Sequence, residues 1–357
     1  MHKKKKKIRV IVGIVFLSLI LVVVVLSSFF SLFGILFDKE IELKKADNKI
    51  NFLLLGIAGG THDGPSLTDT IIFASIDTTQ NKVVLVSVPR DLWIEDIKAR
   101  INVAYAKGGI SMAKGAVYKV VGQSIDYVVR VDFEGFEKAI DLLGGVEVDV
   151  LYAFDDYEYP IVGKENDPCG HMDEELDALA TASSQLEAFP CRYTHLHFDK
   201  GLQHMDGVTA LKFVRSRHGK GEEGTDFGRS KRQAELIKAV RDKVFSVETF
   251  LNPAKIFSLY NVIKNSIDTN IKEEEFDDFI KLANDMKDAS IQNIVLDYGD
   301  EEKDRPGLLI YPRASDVYNN EWVLIPRVGN NDFSEIQKYI ECEIKLGNCP
   351  ITAKPVE

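Results

Sequence analysis

The sequence predicts an α/β domain, with a central β-sheet covered by helices on its faces, carried behind one N-terminal transmembrane helix. Three observations predict it. Short apolar runs rich in branched residues recur between turn signals, segments with helical apolar spacing separate several of them, and a long uncharged stretch follows a lysine-rich N-terminus.

Residues 1–9 contain "HKKKKKIR", and residues 10–37 carry no charge. About 20 residues at 1.5 Å each cross a bilayer core of roughly 30 Å, so this stretch suffices for one span. The lysines and Arg9 place the N-terminus in the cytoplasm. The apolar run is too long for a signal h-region and lacks an A-x-A-like cleavage site, so an uncleaved signal anchor is expected over a cleaved peptide. Residues 38–50, with "KEIELKKADNK", read as a charged stalk, and everything beyond lies outside the cytoplasm.

The folded domain starts at Asn51. "NFLLLGI", "TIIFASID" and "KVVLVSVP" read as buried strands, the last ended by Pro89. "INVAYAKGGISMAKGAVYKVVGQS" has helical spacing weakened by glycines. "IDYVVRVD", "FEGFEKAIDLLGG" and "VEVDVLY" form a strand, helix, strand series, which predicts a crossover returning to the same sheet. Residues 153–195 form a polar, acidic insertion. "MDGVTALKFVRSR" predicts a helix from Asp206, followed by a glycine-rich loop and a second helix beginning at Thr225 or Asp226. Residues 247–357 form an extension on the same domain, acidic and helical to about 290. Beyond that come strand candidates in "NIVLDYG", "GLLIYP" and "EWVLIP" and a closing helix in "DFSEIQKYIECEIKL".

The formal charge is −11, and excluding the basic tail leaves the remainder more acidic still. That argues against nucleic-acid binding, which rests on phosphate neutralisation. The four cysteines suit an oxidising compartment and suggest local pairs, Cys169 with Cys191 and Cys342 with Cys349. Zinc is the rival for the first pair, because His171, His195 and His197 are close in sequence.

One basic segment stands out. "RSRHGKGEEGTDFGRSKRQ" (residues 215–233) holds six Lys and Arg against three acids. On a helix starting at 225 or 226, Arg229, Arg232 and Gln233 share a face in the first turns, beside free backbone N–H groups. Arg215 and Arg217 arrive from the preceding segment. Cations at a helix N-terminus are unfavourable without a ligand, so convergence on an anion competes with solvated arginines paired to Glu222, Glu223 and Asp226. Arg90, in "SVPRD", lies just past the end of a buried strand, where α/β sheets bind ligands, and guanidinium forks match phosphate oxygens. "GIAGGTHDGPSLTDT" supplies Asp63 and Asp69. A carboxylate facing arginines can hold Mg²⁺ against a pyrophosphate, although aspartates capping turns look the same in sequence.

Five blocks now carry a resemblance: "DTIIFASIDTTQNKVVLVSVPRD", "INVAYAKGG", "IDYVVRVDFEGFEKAIDLLGGVEVDV", "KGLQHMDGVTALKFVRSRH" and "TDFGRSKRQ". In this order, behind an anchor, they resemble the LytR-CpsA-Psr family of bacterial envelope proteins over about residues 51–246. The resemblance implies a mixed central β-sheet flanked by helices, with an apolar cavity for a polyprenyl chain. It implies transfer of a phosphoglycosyl polymer from a polyprenyl-pyrophosphate carrier at the cell membrane to a peptidoglycan acceptor. Asp69 matches the family's Mg²⁺-associated aspartate, and Arg90 its pyrophosphate-contacting arginine. Arg215 and Arg217 match its R-x-R pair, and Arg229, Arg232 and Gln233 its R-x-x-R-Q. Arg100 stands where many relatives carry lysine. Ala58 stands where the family usually has an aspartate, and Asp63 is the candidate replacement. No nucleophile motif accompanies these residues, consistent with phosphoryl transfer by positioning and charge. Asp91 and His218 are the candidate general bases. A pyrophosphatase using water as acceptor and a non-enzymatic carrier-binding scaffold are the alternatives.

Overall fold

The structure is a computed structural model that describes residues 42–352, except 46–47, 61–63, 181, 183, 245–261, 263–265, 301–303 and 314–315. The expected tail and membrane span at 1–37, most of the stalk and Asp63 lie outside the described residues. Among the described residues, no helix is long and apolar enough to cross a membrane. The chain separates into two units. Residues 44–271 with 286–357 carry the sheet and the candidate site; the other unit holds residues 272–285 with the chain up to residue 43.

The larger unit is built on a six-stranded mixed sheet. Strands β1 (Lys49–Ile57), β2 (Thr68–Asp77) and β3 (Lys82–Ser87) form an antiparallel meander. A short ribbon, β4 (Trp93–Ile94) with β5 (Ala99–Arg100), leads into helix α1 (Val103–Val121). Gly108 and Gly109 leave helical geometry inside α1, so the glycines noted in the sequence mark a real break. Strand β6 (Tyr127–Asp132) pairs parallel to β1.

Helix α2 (Phe133–Leu143) starts at Asp132, whose carboxylate accepts the Gly135 N–H as an N-cap. Strand β7 (Val146–Val150) then departs from expectation. It does not return to the central sheet but pairs antiparallel with β10 (Gly201–Met205) in a two-stranded sheet. Its burial alternates strictly, with Val146, Val148 and Val150 inward, so it serves a second core. The insertion is a hairpin: β8 (Phe154–Pro160) pairs antiparallel with β9 (Tyr193–Phe198), and helices α3 (Asp173–Ala180) and α4 (Gln185–Ala188) lie between them. Helix α5 (Gly207–Arg215) follows β10, capped by Asp206 on the Thr209 N–H. Helix α6 spans Asp226–Val244.

Strand β11 (Ile267–Thr269) extends the sheet beside β6, an edge the sequence reading did not include. In the other unit, Phe276–Asp285 forms helix α7. Strand β12 (Ser290–Val295) pairs parallel to β3, giving the order β11-β6-β1-β2-β3-β12. The closing helix α8 runs Ser334–Lys345.

Period-two alternation explains the layering. Leu53, Leu55, Phe73, Val84 and Val86 face one way and pack with Val117 and Val120 of α1 and Ile336 and Ile340 of α8. Ile72, Ala74 and Leu85 face the other way, with Phe52, Leu54, Ala234 and Ile237 packed against them, the last two from α6. A second core joins α2, β7, β8, α5 and α6 through Ile140, Val148, Phe154, Phe213 and Leu236. Helix α6 therefore touches both cores, which fixes its N-terminal end against the sheet.

Candidate phosphate-binding site

Two disulfides form, Cys169–Cys191 and Cys342–Cys349. The zinc alternative gives way to the first of them. His195 Nε2 and His197 Nδ1 instead contact Asp155 Oδ1 at 2.7 and 2.9 Å, and His171 Nε2 contacts the Ala188 carbonyl oxygen. Asp167, Cys169 and Cys191 lie together, but a disulfide has no thiolate to offer a metal.

The arginine segment folds as a tight loop between α5 and α6. Its glycines permit close backbone approach: a Cβ on Gly224 would meet the Gly219 carbonyl oxygen, and one on Gly228 the Glu222 carbonyl oxygen. Thr225 Oγ1 accepts the Gly228 N–H, capping α6.

Arg232 organises this loop from inside. It is 4% exposed, and its Nε donates to the Phe213 carbonyl, Nη1 to the Glu223 carbonyl and carboxylate, and Nη2 to the Ser216 carbonyl. Its guanidinium lies over the Phe154 ring at 4.6 Å, and burial pushes its pKa below the usual arginine value. This corrects the expectation of direct pyrophosphate contact. Arg232 is turned inward and held by four hydrogen bonds to the loop it braces and to the end of α5.

Asp156 is the counterpart that sequence reasoning missed. Fully buried, it accepts the Ser216 hydroxyl at 2.6 Å and the Arg217 and His218 N–H groups at 3.2 and 3.3 Å. It thereby sets the backbone of the R-x-R pair. A signal was present in the sequence: in "FDDYEYP", Asp156 shares strand parity with Phe154, placing an acid on an apolar face. A register shift between Asp156 and Tyr159 brings Tyr159 to that buried side as well.

With the loop so held, Asp69, Arg90, Arg215, Arg217, Arg229 and Gln233 line one cavity of about 270 Å³, together with His218 and Phe133. Arg90 comes from the end of β3, Arg215 and Arg217 from the end of α5, and Arg229 and Gln233 from the first turns of α6. Arg90 Nη1 donates to Asp69 Oδ1 at 2.5 Å, and Gln233 Nε2 donates to Thr70 Oγ1 at 3.2 Å. Arg215 donates to the Tyr159 hydroxyl at 3.2 Å and lies over the Phe133 ring at 4.1 Å, an arrangement that fixes the fork by its stem and face. Burial raises the Tyr159 pKa, against the opposing pull of Arg215.

Two expected residues lie outside this wall. Asp91 is held between Arg100 Nη1 at 3.0 Å and Arg90 Nε at 3.6 Å, while Arg100 Nε reaches Glu321 at 2.8 Å. The carboxylate proposed as general base is engaged by two guanidiniums, and Arg100 serves that brace instead of the pocket. Ala58 offers no ligand atom, and Asp63 lies outside the described residues.

A second cavity of about 690 Å³ adjoins the first. Phe133, Tyr159, Pro160 and Arg215 line both. Ile161, Val162, Val208 and Leu211 add apolar wall, and Glu134, Glu137 and Lys212 add charge. A pocket lined by four arginines thus opens beside a larger, partly apolar chamber, an arrangement complementary to an amphiphile with a phosphate head.

Comparison with known proteins agrees with this geometry. The chain is 27% identical over 245 residues to a polyisoprenyl-teichoic acid–peptidoglycan teichoic acid transferase, TagV, of Bacillus subtilis, an alignment covering 67% of this chain but only 53% of TagV. It is 26% identical over 257 residues to the enzyme of the same description named TagU from that organism, covering 71% of this chain and 68% of TagU. Among solved structures, the crystal structure of B. subtilis TagV matches with a TM-score of 0.54 at 23% identity, covering 86% of this chain and all of that one. Protein gbs0355 of Streptococcus agalactiae matches with a TM-score of 0.56 at 20% identity, covering 83% and 88% of the two chains. These structural matches establish a shared mixed α/β fold. The LytR_cpsA_psr family description matches residues 36–317, and the chain therefore belongs to that family.

Proposed function

We propose that this protein is a membrane-anchored phosphotransferase that moves a phosphoglycosyl polymer from a polyprenyl-pyrophosphate carrier to peptidoglycan outside the cytoplasm. The observation that carries this reading is the convergence of Arg90, Arg215, Arg217 and Arg229 on one cavity beside an apolar chamber. The relatives whose names print a teichoic acid transferase activity support the reaction class.

In this reading the pyrophosphate lies among the four arginines and the polyprenyl tail enters the larger chamber. Each buried CH₂ contributes about 0.8 kcal/mol, so a tail of even ten buried carbons dominates donor binding. An acceptor sugar hydroxyl attacks the sugar-linked phosphorus. One P–O bond forms and the P–O bond to the distal phosphate breaks, releasing polyprenyl phosphate and one proton. Negative charge grows on the leaving phosphate, and fixed guanidiniums in a walled pocket stabilise it without reorganising. Arg215 is preorganised by Phe133 and Tyr159, and Arg217 by the backbone that Asp156 holds. His218 lines the same wall, with Glu158 3.7 Å from its Nδ1, and is the candidate there to take the acceptor proton.

The donor set also suits Mg²⁺. That ion takes one or two carboxylates and completes its shell with phosphate oxygens and water. Asp69 would hold it, with Asp63 the second candidate in place of the residue missing at Ala58. When bound, the ion supplies further neutralisation of the pyrophosphate.

The test is transfer of a labelled lipid-linked donor to peptidoglycan by the full chain, with product analysis in the presence and absence of acceptor. Acceptor-dependent product and release of polyprenyl phosphate support the transferase. Release to water alone, unaffected by peptidoglycan, would show a pyrophosphatase, and donor binding without turnover a scaffold.

A further inference from the structure

Three aromatic residues outside both cavities form an exposed, contiguous surface. Tyr298, Tyr311 and Trp322 are 49%, 46% and 78% exposed. The first two rings lie 4.9 Å apart, and Tyr311 and Trp322 lie 5.7 Å apart at 74°. At its exposure, Trp322 presents most of its ring to solvent. Such clustered rings mark an interaction surface.

This surface is tied to the arginine pocket. The Leu324 N–H donates to the Asp91 carbonyl at 2.9 Å, the Trp93 N–H donates to the Leu324 carbonyl at 2.8 Å, and Leu92 and Leu324 form a parallel bridge. Trp322 is two residues from that pairing. Its neighbour Glu321 holds Arg100, Arg100 holds Asp91, and Asp91 contacts Arg90 on the pocket wall. The residue before Trp322 thus begins a chain of ionic contacts that ends on the pocket wall.

We infer that Tyr298, Tyr311 and Trp322 form the acceptor subsite, a platform on which sugar rings of a peptidoglycan glycan strand stack while one hydroxyl reaches the arginine pocket. The inference rests on the transferase reading above. The chemistry of the rings and the charge around them select this occupant. Aromatic faces carry negative quadrupole charge and attract the C–H faces of pyranose rings, which are uncharged and flat on one side. Among the described residues of the segment 297–322, five Asp and Glu stand against two Arg, which disfavours an anionic membrane surface.

Placement distinguishes acceptor from donor. The tail chamber meets the arginine pocket at Arg215, whereas the ionic contacts that begin at Glu321, beside Trp322, end at Arg90. In-line displacement needs attacking and leaving oxygens on opposite sides of phosphorus. A donor anchored on the Arg215 side leaves the Arg90 side for the incoming hydroxyl.

The test uses the full chain in detergent micelles, soluble peptidoglycan oligosaccharides freed of attached polymer, and a labelled lipid-linked donor. Trp322→Ala is expected to raise acceptor KM and oligosaccharide Kd about tenfold. Donor KM and acceptor-free release of polyprenyl phosphate should stay unchanged, and Trp322→Phe should restore most of the acceptor affinity. Unchanged acceptor affinity overturns the proposal. So does a matching loss at the donor KM, which would make the platform part of the donor site, or lost binding to phosphatidylglycerol vesicles with glycan affinity intact, which would make it a membrane contact. If the wild type consumes no donor yet Trp322→Ala still abolishes oligosaccharide binding, the glycan platform stands and the transferase reading falls.

Discussion

Two arginines three positions apart on α6 have opposite tasks. Arg229 lines the anion pocket, while Arg232 turns inward and braces the loop. Their substitutions should separate accordingly. Arg217→Ala or Arg229→Ala should reduce transfer about tenfold or more, because each removes charge-assisted contacts to phosphate, with little change in Tm. Arg232→Ala strands the Glu223 carboxylate and three carbonyls in the interior, and should cost about 3–5 kcal/mol in a denaturant titration. Residue type alone could not tell them apart. Helical spacing places both near one face, and only the positions of Glu223 and Phe213 decide which points inward. Asp156 was legible in principle from strand parity, but the register shift before Tyr159 hid how many groups it gathers. A third residue-scale expectation concerns His197, whose pKa is raised above its ordinary 6.5 by its hydrogen bonds to Asp155 and Asp199. Asp155 is lowered by the same pairing. A raised histidine stabilises the fold fully below its unfolded pKa and loses that contribution as pH rises through the folded value. Asp155 contributes above its unfolded pKa and loses its share as pH falls through its lowered one. The pair therefore operates between mildly acidic and near-neutral pH. Imidazole NMR titration should give His197 a pKa above 6.5, and Asp155→Asn should lower it, leaving the smaller pull of Asp199.

Among the elements, strands with a clear apolar alternation were readable, and those whose partners lie far along the chain were not. The β1–β2–β3 meander follows from turns at 78–81 and from runs of branched residues. β7 has an equally clear pattern, yet local sequence cannot state that its partner is β10, fifty residues on, instead of the central sheet. β11 has only three residues and no apolar stripe, so it carried no pattern to read. The insertion hairpin is closed by Cys169–Cys191 across a sequence separation of 22. Replacing both cysteines with alanine should cost about 3 kcal/mol by the loop-closure model. Because Asp156 and Tyr159 sit on β8 of that hairpin, loosening it should also weaken donor binding, measurable as a rise in donor KM.

On the scale of the molecule, the part that carries the arginine pocket and the C-terminal extension cannot be separated. β12 pairs with β3, and Ile294, Leu296, Leu324, Phe333, Ile336 and Ile340 belong to the main core. A chain ending at residue 285 would expose the β3 edge and strip one face of the sheet. Such a truncation should aggregate, seen as void-volume elution in size-exclusion chromatography, where the full chain elutes as a defined species. The family blocks to about residue 246 made the arginine pocket legible, since three of them carry the arginines that line it. They said nothing of Tyr298, Tyr311 and Trp322, which acquire meaning only once Leu324 is seen pairing beside Asp91.

The four side chains that divide the two cavities, Phe133, Tyr159, Pro160 and Arg215, belong to both. If the proposed carrier occupies the chamber, substitutions in this partition would change the space for its tail. Each such change would also re-aim the guanidinium stacked on Phe133. Preference for chain length and reactivity toward the head group should therefore drift together through a mutant library, as two readings of a single wall.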